Sequence, residues 1–370
     1  MKNNNFFVDC HVFDQGFQGT RTYIQGLYSE LIKDKSKHFF LGANNIKNLK
    51  NTFGELENIT FLKYKSTNAF VRLLFEIPYF IKKHKIYFAH FQYRVPPIKL
   101  CKYIITTHDV LFEDFPEYFP KLNRIQSFLT YKFSVHLSDI VFTVSQYSKN
   151  QIEKHLKVKD VIVMPNGIEN IFFEEYDKND IIKQVSERFH VSNYLIFVSR
   201  WEPRKNHLLL LKLFVKLELY KTYEFVFVGD DTFKNKLYDN YFQSISDSIK
   251  LKIKTLKRVS FEDMLLLLKG AKASIYPSIA EGFGIPPLES IAANIPTITS
   301  NATAMSDFEF LKDYSFDPKN ETDFENKLLK LLKNEDFKIK EKQQIIKNRY
   351  NWNVSALIFN ESIYKILTDS

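Results

Sequence analysis

The chain has 370 residues, 45% of them apolar and 26% charged, with a formal net charge of +9 and a pI near 9.1. This length exceeds one ordinary core and suggests two domains, and the composition excludes a disordered or fibrous chain. The basic balance suits an anionic partner (nucleic acid, a phosphorylated ligand or an anionic membrane surface) or is simply a lysine-rich solvated surface.

Two cysteines, Cys10 and Cys101, are too few for a disulfide-stapled secreted domain. The opening MKNNNFFVDCHVF is broken by Asp9 and too short for a signal-peptide core, and no window of ~18 uninterrupted apolar residues is present. A reducing, cytoplasmic setting is therefore expected.

Short apolar runs alternate with longer amphipathic stretches, the pattern of repeated βαβ units and parallel sheets. Strands are predicted over 6–13, 38–42, 59–64, 86–91, 103–107, 140–144 and 161–164, with helices over 20–32, 68–83, 121–137 and 145–156. The charged stretch 169–193 reads as a junction. The rhythm then restarts with strands over 194–198, 224–228, 252–256, 273–276 and 296–299, and helices over 206–220, 261–269, 287–293 and 322–332. Segment 68–85 mixes Phe, Leu, Ile and Tyr with Arg72, Lys82, Lys83 and Lys85. It reads either as an amphipathic element lying on an anionic membrane or as an ordinary surface helix with its apolar face in the core.

The most informative segment is YPSIAEGFGIPPLES at 276–290. A strand ends, Gly282 and Gly284 allow positive φ and close ligand approach, and Pro286 and Pro287 suit the first turn of a helix. Such a helix start offers backbone N–H groups and a favourable dipole to a diphosphate. Glu281 and Glu289, eight positions apart, frame the loop. A carboxylate beside a phosphate site can accept from both ribose hydroxyls, and one at a strand end can reach a sugar hydroxyl.

Segment FVSRWEPRKNH at 197–207 places Arg200, Arg204 and Lys205 after another strand end. Fixed cations there can stabilise the charge that develops on a leaving diphosphate. In IITTHD at 104–109, His108 closes an apolar strand of the first half, as a ligand-facing group or a structural histidine. The loop DQGFQGTRTY at 14–23, with Gly19 before the first helix, could approach a diphosphate or an acceptor, but it lacks the full dinucleotide fingerprint. His and Cys lack metal-ligand spacing, so no catalytic metal is expected.

Taken together, EGFGIPPLE with Glu281 and Glu289, and EPRKN at 202–206, resemble the Glu-x7-Glu motif and phosphate-binding signature of family 4 (group 1) retaining glycosyltransferases. GTRTYIQGLYSEL, HFQYRVPP, FTVSQYSKNQI, VMPNGIE, FVGDD and ITSNATAMSDF follow in the family's order, so the resemblance covers nearly the whole chain. It implies an α/β chain of the GT-B type, two Rossmann-like domains facing across a cleft. An acceptor domain would comprise 1–172, with helix 354–370 crossing back to it, and a nucleotide-sugar donor domain 173–353. It implies a metal-independent, retaining transfer needing no cofactor beyond a GDP- or UDP-sugar co-substrate, with a glycan or lipid-linked saccharide as acceptor.

Residue by residue, the resemblance implies that Glu289 holds the ribose and Glu281 the donor sugar. Arg204 and Lys205, with Arg200 as a further candidate, would contact the diphosphate, and backbone at Phe283, Gly284 and Ile285 would bind phosphate. His108 would meet the sugar or the reacting centre. Departures from the family pattern, at Ser199, Lys257 and Asn294, remove none of these groups. Rival readings are a sugar-nucleotide epimerase of the same fold and a non-catalytic nucleotide-sugar-binding or nucleic-acid-binding module. A nucleic-acid partner is not expected.

Overall fold

The computed structural model describes residues 4–14, 19–230, 235–333 and 336–368. The chain divides into two compact units, 1–167 with 350–370, and 168–349. Each is built on one sheet whose strand pairings are all parallel among the described residues.

The first sheet contains β1 (Asn5–Asp9), β2 (His38–Ala43), β3 (Ile59–Lys63), β4 (Phe88–Gln92), β5 (Lys102–Thr106), β6 (Ile140–Thr143) and β7 (Ile162–Val163), in the order β3-β2-β1-β4-β5-β6-β7. The second contains β8 (Tyr194–Val198), β9 (Glu224–Val228), β10 (Ile253–Leu256), β11 (Ala273–Tyr276), β12 (Thr297–Ser300) and β13 (Ser315–Phe316), in the order β10-β9-β8-β11-β12-β13. Central strands such as NFFVD, KYIIT and YLIFV are buried nearly throughout, because helices cover both faces of a parallel sheet and leave no polar face to alternate with. In each unit the strand order reverses beside the first strand, between β1 and β4 and between β8 and β11. Open parallel sheets bind ligands at such reversals, outside the carboxyl ends of the strands.

The first strand is shorter than expected. It ends at Asp9, and His11–Asp14 forms a 3-10 turn. Asp9 is buried and accepts from the Tyr64 hydroxyl at 2.9 Å, with Arg72 Nε at 3.3 Å. A carboxylate with those partners ends the strand rather than continuing its apolar run. The stretch read as a junction holds a helix, Lys178–Phe189, capped by Asp177, whose side chain accepts from the Asn179 and Asp180 N–H groups.

The last helix, Trp352–Thr368, packs on Gly19–Leu31 in the first unit. A Cβ on Gly26 would lie 2.0 Å from Trp352 Cε2, and one on Gly167 would lie 2.5 Å from the Trp352 backbone nitrogen. Both positions therefore need glycine for the indole to seat. No helix among the described residues is long and apolar enough to cross a membrane.

Candidate active site

The carboxyl end of β8 leads into a 3-10 turn, Pro203–Lys205, closed by Asn206 at φ +61°. Pro203 starts the turn without needing an N–H partner, and asparagine tolerates the left-handed conformation that ends it. Buried Trp201 stacks on His207 at 4.0 Å, and the Arg204 carbonyl accepts from the Ile279 N–H at 2.7 Å. The EPRKN turn is thereby fastened to the loop that follows β11.

That loop carries Glu281. Its N–H donates to Thr303 Oγ1 at 2.8 Å, and its carbonyl accepts from Ala304 at 3.3 Å. Thr303 has φ +53°, an uncommon conformation for a β-branched residue, held beneath the glutamate. Lys205 Nζ lies 2.5 Å from Glu281 Oε1 and Arg204 Nη1 3.0 Å from Oε2, each of the three side chains only 13% exposed. Arg204 also donates to the Ala280 carbonyl at 2.6 Å and pairs with Glu202 at 2.6 Å. Arg200, more than half exposed, pairs with Glu202 at 3.1 Å.

Burial alone would raise the Glu281 carboxyl, but Lys205 and Arg204 outweigh it and hold the group at about 2. Burial pulls Lys205 below the ordinary lysine value, with Glu281 opposing it. The cluster combines three cations with two carboxylates, a net positive site that is almost internally neutralised.

Gly284, at φ +99°, opens the helix Ile285–Ala292. A Cβ there would lie 3.0 Å from Met305 Cγ, so strain and space both favour glycine. Gly282 lies outside the positive-φ set, so only one of the two expected glycines uses that freedom. Phe283 is buried edge-on against Phe308 at 5.9 Å. Pro286 and Pro287 lack N–H groups, which leaves Gly284 and Ile285 as the nearest amides that the helix start can offer an anion. Glu289, one turn along, is half-buried, and its carboxyl is pushed up to about 8 by burial and by Glu169.

The first unit places His108 just past β5. Its Nε2 lies 2.5 Å from Gln92 Oε1, so that nitrogen carries the hydrogen and Nδ1 is left for a ligand. His90 bridges Tyr28 at 2.8 Å and Thr106 at 2.8 Å, and Thr106 also meets the Tyr23 hydroxyl at 2.9 Å. Tyr23 packs edge-on to His108 at 4.9 Å. Burial depresses both histidines to about 3. Gly19 opens the helix that carries Tyr23, but an added Cβ would meet nothing within 4 Å, so the described neighbours do not demand glycine there. The rest of its loop, 15–18, lies outside the described residues.

The structure thus joins Arg200, Arg204, Lys205 and Glu281 into one cluster, sets Phe283, Gly284, Ile285 and Glu289 on the same loop and helix, and places His108 and Gly19 in the other unit. Sequence reasoning missed Glu202, Thr303, Gln92 and Glu169. Glu202 was legible as the carboxylate of EPRKN, while the others act through contacts remote in sequence. Among the described residues, no group of three or more His, Cys, Asp or Glu is arranged to hold a metal. A cavity of about 510 Å³ at the amino ends of β11 and β12, lined by Lys178, Ala273 and Pro296 among others, includes none of the cluster residues.

The family described as glycosyl transferases group 1 matches residues 178–352, and that described as glycosyltransferase family 4 matches 17–170. The O-antigen chain mannosyltransferase RfbU of Salmonella typhimurium is 29% identical over 204 residues, 53% of this chain and 51% of that protein. O-antigen chain mannosyltransferase B of Escherichia coli is 23% identical over 230 residues, 61% of this chain and 60% of that protein. The chain therefore spans between 29% and 65% of the length of the curated relatives it matches.

Among solved structures, sucrose-phosphate synthase from Thermosynechococcus elongatus superposes with a TM-score of 0.78 at 13% identity over all of both chains. Anabaena HepE, solved with UDP and glucose, superposes with a TM-score of 0.72 at 15% identity over 98% of this chain and 100% of that one. At these identities the likeness is one of fold, the GT-B architecture of two Rossmann-like units.

Proposed function

The chain belongs to the group 1, family 4 glycosyltransferases, and from that premise we propose that it transfers a sugar from a nucleoside-diphosphate donor to a glycan or lipid-linked saccharide in the assembly of a surface polysaccharide. The observation that carries this reading is the Arg204–Lys205–Glu281 cluster at the carboxyl ends of β8 and β11, next to the Gly284 turn. It matches the needs of a sugar diphosphate: cations for the phosphates, an ionised carboxylate for sugar hydroxyls, and a second carboxyl, Glu289, for the ribose.

In the proposed reaction the bond between the anomeric carbon and the diphosphate oxygen breaks, and a bond from that carbon to the acceptor oxygen forms on the same face. The acceptor proton passes to the departing phosphate, and Lys205 and Arg204 stabilise its developing charge in place of a metal. Retention follows from that same-face geometry. The first unit would serve the acceptor, with His108 Nδ1 offered to the sugar or the reacting centre. Mannosyltransferases among the relatives make GDP-mannose a donor to try first, beside UDP-sugars.

The test is transfer from GDP-mannose and a panel of UDP-sugars to lipid-linked and free oligosaccharides, with the anomeric configuration of the product read by NMR. Transfer with retained configuration, strongly reduced in Lys205→Ala and Glu289→Ala, supports the reading. Full transfer by either variant, or epimerised donor in the absence of acceptor, overturns it.

A further inference from the structure

Eight of the sixteen large apolar side chains that are exposed among the described residues fall within 70–133 of the first unit. We propose that the outward faces of helices 69–83 and 121–137 form a docking surface for an anionic lipid bilayer.

On Lys121–Leu137, Leu122, Ile125, Leu129 and Phe133 are 81%, 50%, 60% and 49% exposed. Their spacing of three, four and four residues draws one stripe, about 16 Å long at 1.5 Å per residue. Isolated apolar residues are ordinary on protein surfaces, but a contiguous helical stripe in water is not.

The second helical segment runs from Ala69–Val71 through a π turn, Arg72–Glu76, to Ile77–Lys83. The wider turn aligns residues five apart, and Phe70 and Phe75 are 68% and 64% exposed, with Tyr79 at 57% one turn on. The inward side chains of both segments, among them Ile77, Ile81 and Val135, belong to one apolar core with Phe7, Phe91 and Ile105. Both helices therefore cover the same face of the sheet, and their outward stripes look the same way. Ile98, 61% exposed, lies on the chain that crosses that face from β4 to β5.

Charge selects the occupant. Lys121–Leu137 contains no Asp or Glu, and the only carboxylate on the other segment is Glu76, whose Oε1 accepts from the Lys65 N–H at 2.6 Å. Lys82, Lys83 and Lys121 are exposed beside the apolar residues, and Lys83 lies over the Tyr79 ring at 5.5 Å. Apolar side chains rimmed by lysines able to reach headgroups fit an interfacial element on an anionic bilayer. The core of a protein interface would be depleted in lysine.

The test is co-sedimentation of the full chain with vesicles of phosphatidylcholine alone or mixed with phosphatidylglycerol, at low and high salt. No sugar nucleotide is present, so the outcome is separate from the donor assignment. The wild type should bind phosphatidylglycerol vesicles at least about tenfold tighter than neutral ones, with the preference shrinking in salt. Leu122→Ser with Leu129→Ser, and separately Lys82→Glu with Lys83→Glu, should each reduce that binding at least about tenfold. Leu237→Ser, at a 69% exposed site of the second unit, should not change it. Circular dichroism melts confirm that each variant is folded. Wild-type protein left in the supernatant, or folded variants that bind equally, overturns the proposal. So does a concentration-dependent dimer abolished by the leucine pair, which would assign the face to a second copy of the chain.

Discussion

Lys205 and Glu281, 76 positions apart, meet side chain to side chain with Nζ 2.5 Å from Oε1. Each lies on its own strand-end loop, one after β8 and one after β11. Their pairing, reinforced by Arg204 on the other carboxylate oxygen, turns two loops into one preorganised site at the reversal of strand order. On the proposed function, a donor entering this site would meet cations already oriented, so little reorganisation would accompany binding.

Removal of Lys205 tests the cation's role in the chemical step. Lys205→Ala should lower transfer by on the order of 10²–10³ while the protein stays folded, because Arg204 still faces Glu281. Steady-state kinetics with the preferred sugar nucleotide check this, and an unchanged kcat would remove the residue from the mechanism.

Replacement of Glu281 should separate sugar from nucleotide. Glu281→Gln leaves both cations for the diphosphate, so affinity for the bare nucleoside diphosphate should change by less than about tenfold. Transfer should fall by on the order of 10², since the charged acceptor of sugar hydroxyls is gone. Calorimetry with the nucleotide alone, set beside activity, gives the two numbers. Loss of both in parallel would place Glu281 on the phosphates instead.

Glu289 should give nucleotide binding a pH dependence. In the unliganded chain its carboxyl takes a proton near pH 8, yet in the proposed role it must be ionised to accept from two ribose hydroxyls. Affinity should therefore rise with pH up to about 8, by at most about tenfold per pH unit, and level off above. Glu289→Gln should flatten that part of the profile. For stability the sign is opposite: a carboxyl raised above its ordinary 4.5 costs the folded state as pH rises from 4.5 to about 8. Without ligand, Glu289→Gln should thus raise Tm more at pH 8 than at pH 5. Equal gains at both would sink the account.

His108 is neutral above pH 4 by the same reasoning, because burial holds it at about 3. Its titration should leave no mark on the rate between pH 5 and 8. Gln92→Leu, which removes the acceptor for His108 Nε2, should slow transfer about tenfold by leaving that nitrogen unpaired. At saturating donor its kcat should show no histidine titration between pH 5 and 8. A pH-dependent rate that vanishes in His108→Gln would show instead that the histidine titrates during turnover.

Gly26→Ala tests the seating of the last helix. With Trp352 2.0 Å from the new Cβ, the substitution should destabilise the first unit by about 1–3 kcal/mol. Thermal melts should show it, and proteolysis should release the C-terminal helix early. A melting curve like the wild type's would mean that the indole moves aside freely.

Much of the fold was legible because parallel strands buried on both faces read as apolar runs whatever they touch. β8, β9 and β11 have the bounds predicted for them. The longer helices that escaped, Ile46–Phe53, Lys178–Phe189, Lys236–Ser244 and Ile339–Arg349, are polar and amphipathic. With only one or two buried side chains each, they present a local signal little different from a charged loop. β13 is two residues long and is defined only by pairing with β12.

The sequence by itself determined which groups the candidate site contains. Glycine, proline and charged side chains at strand ends carry their chemistry locally, so Lys205, Glu281, Gly284 and Glu289 could be named without coordinates. Tertiary structure alone decided how those groups stand: that Lys205 and Arg204 share Glu281, that burial and Glu169 raise the Glu289 carboxyl, that Gln92 orients His108, and that Leu122, Ile125, Leu129 and Phe133 are exposed. Charge state, tautomer and exposure depend on neighbours brought close by folding, and separation along the chain does not encode that distance.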